Sequence, residues 1–199
     1  MRYWMLLGLL FSAPLWADTV AHYQDQRYGY IAGNLGHFTV EEDKIDDTMT
    51  PTGMNLRLGG MMDPNWGVEL RVGAAPSGDT FRTEGTADKV DYSLDHVGAL
   101  LGTFRLPFKS PVALPMVDSL YAQAFAGGAA VRVKTDTVTC QGAQCSNEVS
   151  RRDYFSFAFG AGVGIRTEFN LGLSLQYMQY TYEDPVTVKA IEGGLEWYF

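Results

Sequence analysis

The sequence predicts an all-β fold: an eight-stranded antiparallel up-and-down β-barrel that crosses a membrane with its strands. Three observations predict it. From about Arg27 onward the chain breaks into eight strand-like segments with no sustained helical period. Several segments alternate apolar residues with a face of glycines and charges, which suits a narrow interior and a lipid-facing exterior. The connections alternate between long polar loops and short turns, as in barrels whose loops lie on one side of a membrane and turns on the other.

The chain opens with a segment that reads as a secretory signal. Arg2 supplies the positive charge, Met5 to Trp16 an apolar stretch, and Ala13 and Ala17 the small residues before a cut ahead of Asp18. Pro14 interrupts that stretch, and at roughly a dozen residues it is short of the ~20 that a bilayer-spanning helix needs. Residues 1–17 are therefore expected to be removed, leaving 18–199 as one barrel domain. Loss of Arg2 leaves 14 basic against 23 acidic residues, a net charge of −9. Nucleic acid rewards basic patches, so it is excluded as a partner.

The strands are expected near Tyr28 to Phe38, Gly53 to Met61, Trp66 to Ala75, Asp91 to Phe108, Ser119 to Lys134, Asp153 to Phe169, Leu173 to Tyr182 and Thr187 to Phe199. The first and fifth are rich in Ala, Gly and Tyr, and their faces cannot be assigned from the sequence. The second sets Met54, Leu56 and Leu58 against Asn55, Arg57 and Gly59. The third sets Trp66, Val68, Leu70 and Val72 against Glu69, Arg71 and Gly73. In the sixth, Phe155, Phe157, Phe159, Val163 and Ile165 oppose Ser156, Gly160, Gly162, Gly164 and Arg166. The seventh places Leu173, Leu175 and Tyr177 opposite Ser174 and Gln176, and the eighth Ile191, Leu195, Trp197 and Phe199 opposite Glu192, Gly194 and Glu196. If the apolar side faces lipid, the charges Arg57, Glu69, Arg71, Asp95, Arg105, Arg166, Glu168, Glu192 and Glu196 line the lumen. Eight strands leave an interior about filled by side chains, so these charges are expected to form a salt-bridged plug rather than an open pore.

Long connections follow the odd segments: Thr39 to Thr52 with the acids Glu41, Glu42, Asp43, Asp46 and Asp47, then Pro76 to Val90, then Thr135 to Arg152. Asp63-Pro64-Asn65 and Asn170-Leu171-Gly172 are tight, while Lys109 to Asp118 and the short Glu183 to Val186 depart from the alternation. Cys140 and Cys145 fall in the third long connection. An exported chain meets an oxidising compartment, and the three histidines are remote in sequence, so a local disulfide is expected rather than a metal pair. No cofactor is predicted. Aromatic residues gather near the strand ends in two girdles: Trp66, Phe104, Phe108, Phe169, Trp197 and Phe199 on one side, Tyr92, Tyr154, Phe155, Tyr180 and Tyr182 on the other.

The closing strand, Ala190-Ile191-Glu192-Gly193-Gly194-Leu195-Glu196-Trp197-Tyr198-Phe199, and the opening strand, Tyr28-Gly29-Tyr30-Ile31-Ala32-Gly33-Asn34-Leu35-Gly36, resemble the small bacterial outer-membrane β-barrel family that includes the OmpA transmembrane domain and the OmpX-like proteins. The resemblance covers essentially all of 18–199. It implies a place in the outer membrane among lipid and lipopolysaccharide, and a terminal aromatic strand, Leu195, Trp197 and Phe199, read by the barrel-assembly machinery. The chain stops at this strand, so attachment to the cell wall is not implied.

Two enzyme types use comparable small barrels. The lipid A deacylases carry His and Ser on one strand with an acid nearby; here Ser93, Asp95 and His96 are the nearest imitation, and in a regular strand His96 faces away from the other two. The outer-membrane palmitoyltransferase shares only strand number. No catalysis is predicted. The expected role is structural, surface-interacting or adhesive, through the external loops and an extracellular partner. Its competitors are a transporter or binder of small apolar molecules, a lipid-modifying barrel enzyme, and a soluble lipocalin-like barrel with its apolar face inward. The first strand lacks the Gly-x-Trp characteristic of lipocalins, since the tryptophans beyond residue 17 are Trp66 and Trp197.

Overall fold

The computed structural model describes residues 28–42, 49–78, 80–82, 89–108, 116–141, 144–183 and 186–199. The signal segment 1–17 and the loop acids Asp43, Asp46 and Asp47 lie outside the described residues. Nine strands run in chain order: β1 (Tyr28–Glu42), β2 (Thr52–Met61), β3 (Trp66–Ser77), the short β4 (Thr80–Arg82), β5 (Lys89–Phe108), β6 (Val117–Gln141), β7 (Gln144–Thr167), β8 (Leu171–Glu183) and β9 (Val186–Tyr198). Every pairing is antiparallel: each strand pairs with the next except β3 with β4, and β1 also pairs with β9. Because β3 pairs directly with β5, from Trp66↔Phe104 to Ala75↔Leu94, eight strands close into a ring and β4 lies beyond it, paired with the start of β5. Closure satisfies the backbone polar groups that an open edge would present to lipid.

The alternation read from the sequence decides which face goes where. Phe157, Val163 and Leu195 are 63%, 56% and 54% exposed on the outside, while Arg71 and Glu192 are fully buried inside. A lipocalin-like arrangement, with the greasy face inward, is thereby reversed. The two unassigned strands also resolve. On β1, Tyr30, Ala32, Asn34, Phe38 and Val40 point inward; on β6, Ser119, Tyr121, Gln123, Phe125, Ala129 and Val131 do so. Their sequences hid this for different reasons: on β6 the outward Ala124, Ala126 and Gly128 are small, whereas on β1 the inward side mixes Tyr30 and Phe38 with the small Ala32 and Gly36.

Inward glycines make room for tyrosines. Tyr30 lies opposite Gly59, and a Cβ on Gly59 would fall 2.2 Å from its ring; Tyr121 covers Gly164 in the same way. At the narrow end the chain reverses tightly. Asp63 accepts hydrogen bonds from the backbone N–H of Asn65 (2.8 Å) and Trp66 (2.7 Å), an Asx turn, and Asn170 takes the left-handed conformation at φ 59°.

Two expectations are corrected. Thr135 to Arg152 is not a polar loop but a continuation of β6 and β7, in register from Val133↔Arg152 to Gln141↔Gln144. Val133, Thr135, Thr137, Val138 and Thr139 are β-branched and favour a strand, although few of them are apolar. The outer girdle is also redrawn. Tyr180 and Tyr154 turn inward with the core, whereas Phe155, Phe157, Phe159, Tyr177 and Tyr182 face outward. The other girdle is outward at Trp66, Phe169, Trp197 and Phe199, with Trp66 packed on Phe104 at 4.7 Å.

Candidate functional site

Two regions carry what chemistry the described residues offer: the lumen, and the sheet that projects beyond the ring. In the lumen, three arginines meet three glutamates. Glu69 on β3 accepts from Arg57 Nη2 at 2.6 Å, from Arg57 Nε at 3.0 Å and from Arg71 Nε at 2.5 Å, and takes a further bond from the Tyr30 hydroxyl. Arg57 on β2 reaches across to Glu196 on β9 at 3.0 Å and to Ser174 on β8 at 3.3 Å. Arg71 donates to Glu192 at 3.0 Å and to Gln176 at 2.8 Å. Arg105 on β5 lies 3.5 Å from Glu196 and donates to Gln123 at 3.0 Å and to Tyr198 at 3.2 Å.

The six charges balance, which is the condition for burying them together. Tyrosine hydroxyls fill the remaining acceptor capacity: Tyr121 donates to Glu196 at 2.8 Å, Tyr180 to Glu192 at 2.5 Å, and Tyr198 also to Glu196. Aromatic faces cover the guanidinium groups, with Arg71 4.5 Å from the Phe125 ring centre and Arg105 4.2 Å from that of Tyr121.

Six of the nine charges expected in the lumen, Arg57, Glu69, Arg71, Arg105, Glu192 and Glu196, are therefore brought together there. Arg166 sits half-buried at the mouth, stacked on Tyr28 and Tyr198. Asp95 and Glu168 lie elsewhere. Glu168 follows the last residue of β7 and is exposed in the turn. Asp95 occupies a bulge in β5, between Leu94↔Val133 and His96↔Arg132, and pairs on the outer surface with Arg151 at 3.2 Å. Alternation holds only while the pleat is regular, and the bulge adds one residue.

That bulge also corrects the reading of His96. Ser93, Asp95 and His96 now share the outer side, with Leu94 and Val97 inward. Asp95 bonds to Arg151, and no catalytic role is assigned to the three. Sequence reasoning missed the lumen tyrosines Tyr30, Tyr121 and Tyr198 and placed Tyr180 in the outer girdle. Tyr198 had the signal, being two residues from Glu196 and so on the same face.

The second region is the β5–β6–β7 sheet. Beyond the lipid-facing Phe155, its outer side carries Arg132 paired with Asp153 (2.5 Å), Lys134 with Asp136 (2.6 Å) and Arg151 with Asp95. The hydrogen bond from Arg132 holds the Asp153 carboxyl below the usual carboxylate range. At the tip, Cys140 and Cys145 face each other across the strands and form the expected disulfide. On its other side β7 pairs with β8 only from Phe159↔Gln179 to Arg166↔Gly172, so its edge above Phe159 has no strand partner among the described residues. One link, from the Tyr182 N–H to Ser156 Oγ at 3.3 Å, bridges the start of that gap.

None of the curated proteins compared with the chain matches it. Among solved structures, Ail, the attachment invasion locus protein of Yersinia pestis, is similar with a TM-score of 0.57 at 17% identity, covering 88% of this chain and 100% of that one. Ail in complex with the heparin analogue sucrose octasulfate gives 0.55 at 19%, with the same coverage. Neisserial surface protein A gives 0.45 at 11%, covering 86% of this chain and 97% of that one. The likeness is one of fold. The family match extends over residues 5–199 and so takes in every strand of the ring; the chain belongs to the family of the outer membrane protein beta-barrel domain.

Proposed function

We propose that the protein acts at the bacterial surface as an interaction barrel, with the ring held in the outer membrane and the projecting β5–β6–β7 sheet as the contact surface. The carrying observation is the ribbon. Beyond Val133 and Arg152, β6 and β7 stay paired to the disulfide and past it, a rise of about 30 Å at strand spacing, with one edge of β7 unpaired among the described residues. An edge strand offers unused N–H and C=O groups, and an extended segment of an extracellular protein can add to it as a further strand. Ail has been solved with a heparin analogue, but here Arg132, Lys134 and Arg151 at the ribbon base already face Asp153, Asp136 and Asp95. A strand-adding protein partner therefore suits the surface better than a polyanion.

The ionic network occupies one half of the lumen and a packed apolar cluster the other, which supports a closed barrel and disfavours passage of small apolar molecules through it. Residues 1–17 act in this reading as a cleaved export signal. The outward row Leu195, Trp197 and Phe199 is the strand presented to the barrel-assembly machinery, and lipid with lipopolysaccharide surrounds the apolar face. The test replaces residues 136–149 by a two-residue Asn-Gly turn. Attachment of expressing cells to host cells or matrix-coated surfaces should be lost, while heat-modifiable migration shows the barrel still assembled. Undiminished attachment would remove the proposal.

A further inference from the structure

The lumen is divided by polarity along its length. Outward of Arg71 and Glu192 the inward side chains are apolar: Phe38 and Val40 from β1, Leu94 and Val97 from β5, Val186 and Val188 from β9, each no more than 3% exposed and all part of one packed cluster. The hydroxyls among them are already engaged, Tyr180 with Glu192 and Thr181 with the Val186 carbonyl. The other half, toward the short turns, holds the ionic network with its tyrosine and amide partners, and the apolar side chains of Met61, Leu101 and Phe125 are buried among them. There Gln123 Nε2 and Gln176 Nε2, and at the boundary Asn34 Oδ1 and both amide atoms of Asn55, are buried without a hydrogen-bond partner among the described residues. A buried polar atom left unpaired costs roughly 1–3 kcal/mol, and internal water is the usual remedy where the surroundings are polar. At the mouth of the same half a cavity of about 20 Å³, room for one water, lies against Arg105, Ser119, Tyr121 and Arg166.

We infer that the barrel is a one-sided vestibule: its polar half is wetted from the periplasm, and the apolar cluster of the outer half, not the salt-bridge network, is the barrier across the membrane. Charged and amide side chains attract water and can rearrange around an ion, so a network of this kind is a weak seal by itself. A packed apolar layer gives an ion nothing to replace its hydration, and the desolvation cost closes the path. The inference is independent of what the ribbon binds.

Thiol accessibility to silver ion, a probe small enough to follow water, tests it directly. The native cysteines are joined, so single cysteine variants report without background. With the barrel inserted in one orientation in phospholipid vesicles, Ser174→Cys and Gln123→Cys should be consumed by silver ion added on the periplasmic side and spared when it is added on the outer side. Val97→Cys and Val188→Cys should be spared from both. Consumption of the latter pair from the outer side, or sparing of the former pair from both, overturns the inference. Planar-bilayer recording gives a second readout: Phe38→Ala with Val188→Ala should conduct, and Glu69→Gln should stay closed. Conductance in Glu69→Gln with silence in the double variant also overturns it. If the double variant fails the heat-modifiability check for folding, the cysteine series decides alone.

Discussion

Replacing Glu69 by alanine probes the lumen network at its most connected point. The carboxylate holds Arg57 through two bonds, Arg71 through one and Tyr30 through one, all buried. Breaking a buried ion pair by removing one partner costs about 3–5 kcal/mol, because the other charge is left without compensation. Two features moderate the loss: Arg57 keeps Glu196 and Arg71 keeps Glu192, each at 3.0 Å. One feature adds to it, since the lumen is left with three arginines against two glutamates. The expectation is therefore about 3 kcal/mol, measured by reversible urea unfolding in phospholipid vesicles. Glu41→Ala, which removes the partner of Lys189 in an exposed pair, should cost well under 1 kcal/mol by the same assay. Combining Glu69→Met with Arg71→Met removes one charge of each sign and should recover much of the loss. If Glu69→Ala proves no more costly than Glu41→Ala, the six charges are not a buried network and the assignment of the lumen fails.

Other perturbations have equally definite outcomes. Gly164→Val drives a side chain into the Tyr121 ring and should destabilise the barrel by about 1–3 kcal/mol in urea titration, with Tyr121→Ala in the same chain relieving the clash. Cys140→Ser with Cys145→Ser should leave the unfolding midpoint of the ring unchanged while amide hydrogen exchange from Thr135 to Arg151 accelerates, because strand pairing already holds the ribbon in register. Phe199→Ala should lower the fraction of heat-modifiable protein in cells without changing the stability of the assembled fraction. Leu101→Ala, at a fully buried inward position, should cost about 2–5 kcal/mol.

Much of the fold was legible because lipid and lumen impose opposite chemistry on alternate residues. Leu56, Arg57 and Leu58, or Leu195, Glu196 and Trp197, declare both faces within three positions. Where both faces are small, as from Ala122 to Ala130, the contrast vanishes and the facing could not be read. The ribbon was hidden differently: above the membrane neither face needs to be apolar, so strand shows only as β-branched content from Val133 to Thr139. Within the lumen, charges were found where the pleat is regular and misplaced at Asp95, where one extra residue shifts the phase. The apolar outer half escaped notice because inward valines such as Val186 and Val188 look no different from residues bound for lipid.

The distribution of lumen charges along the chain has a consequence for biogenesis. All three arginines lie on β2, β3 and β5, whereas two of the three glutamates lie on β9, the last strand to be made. A chain lacking that strand would carry a surplus of two positive charges on a surface meant to be sealed from water. Neutralisation and ring closure thus happen in one event, and a truncated or unclosed intermediate is marked by its uncompensated arginines.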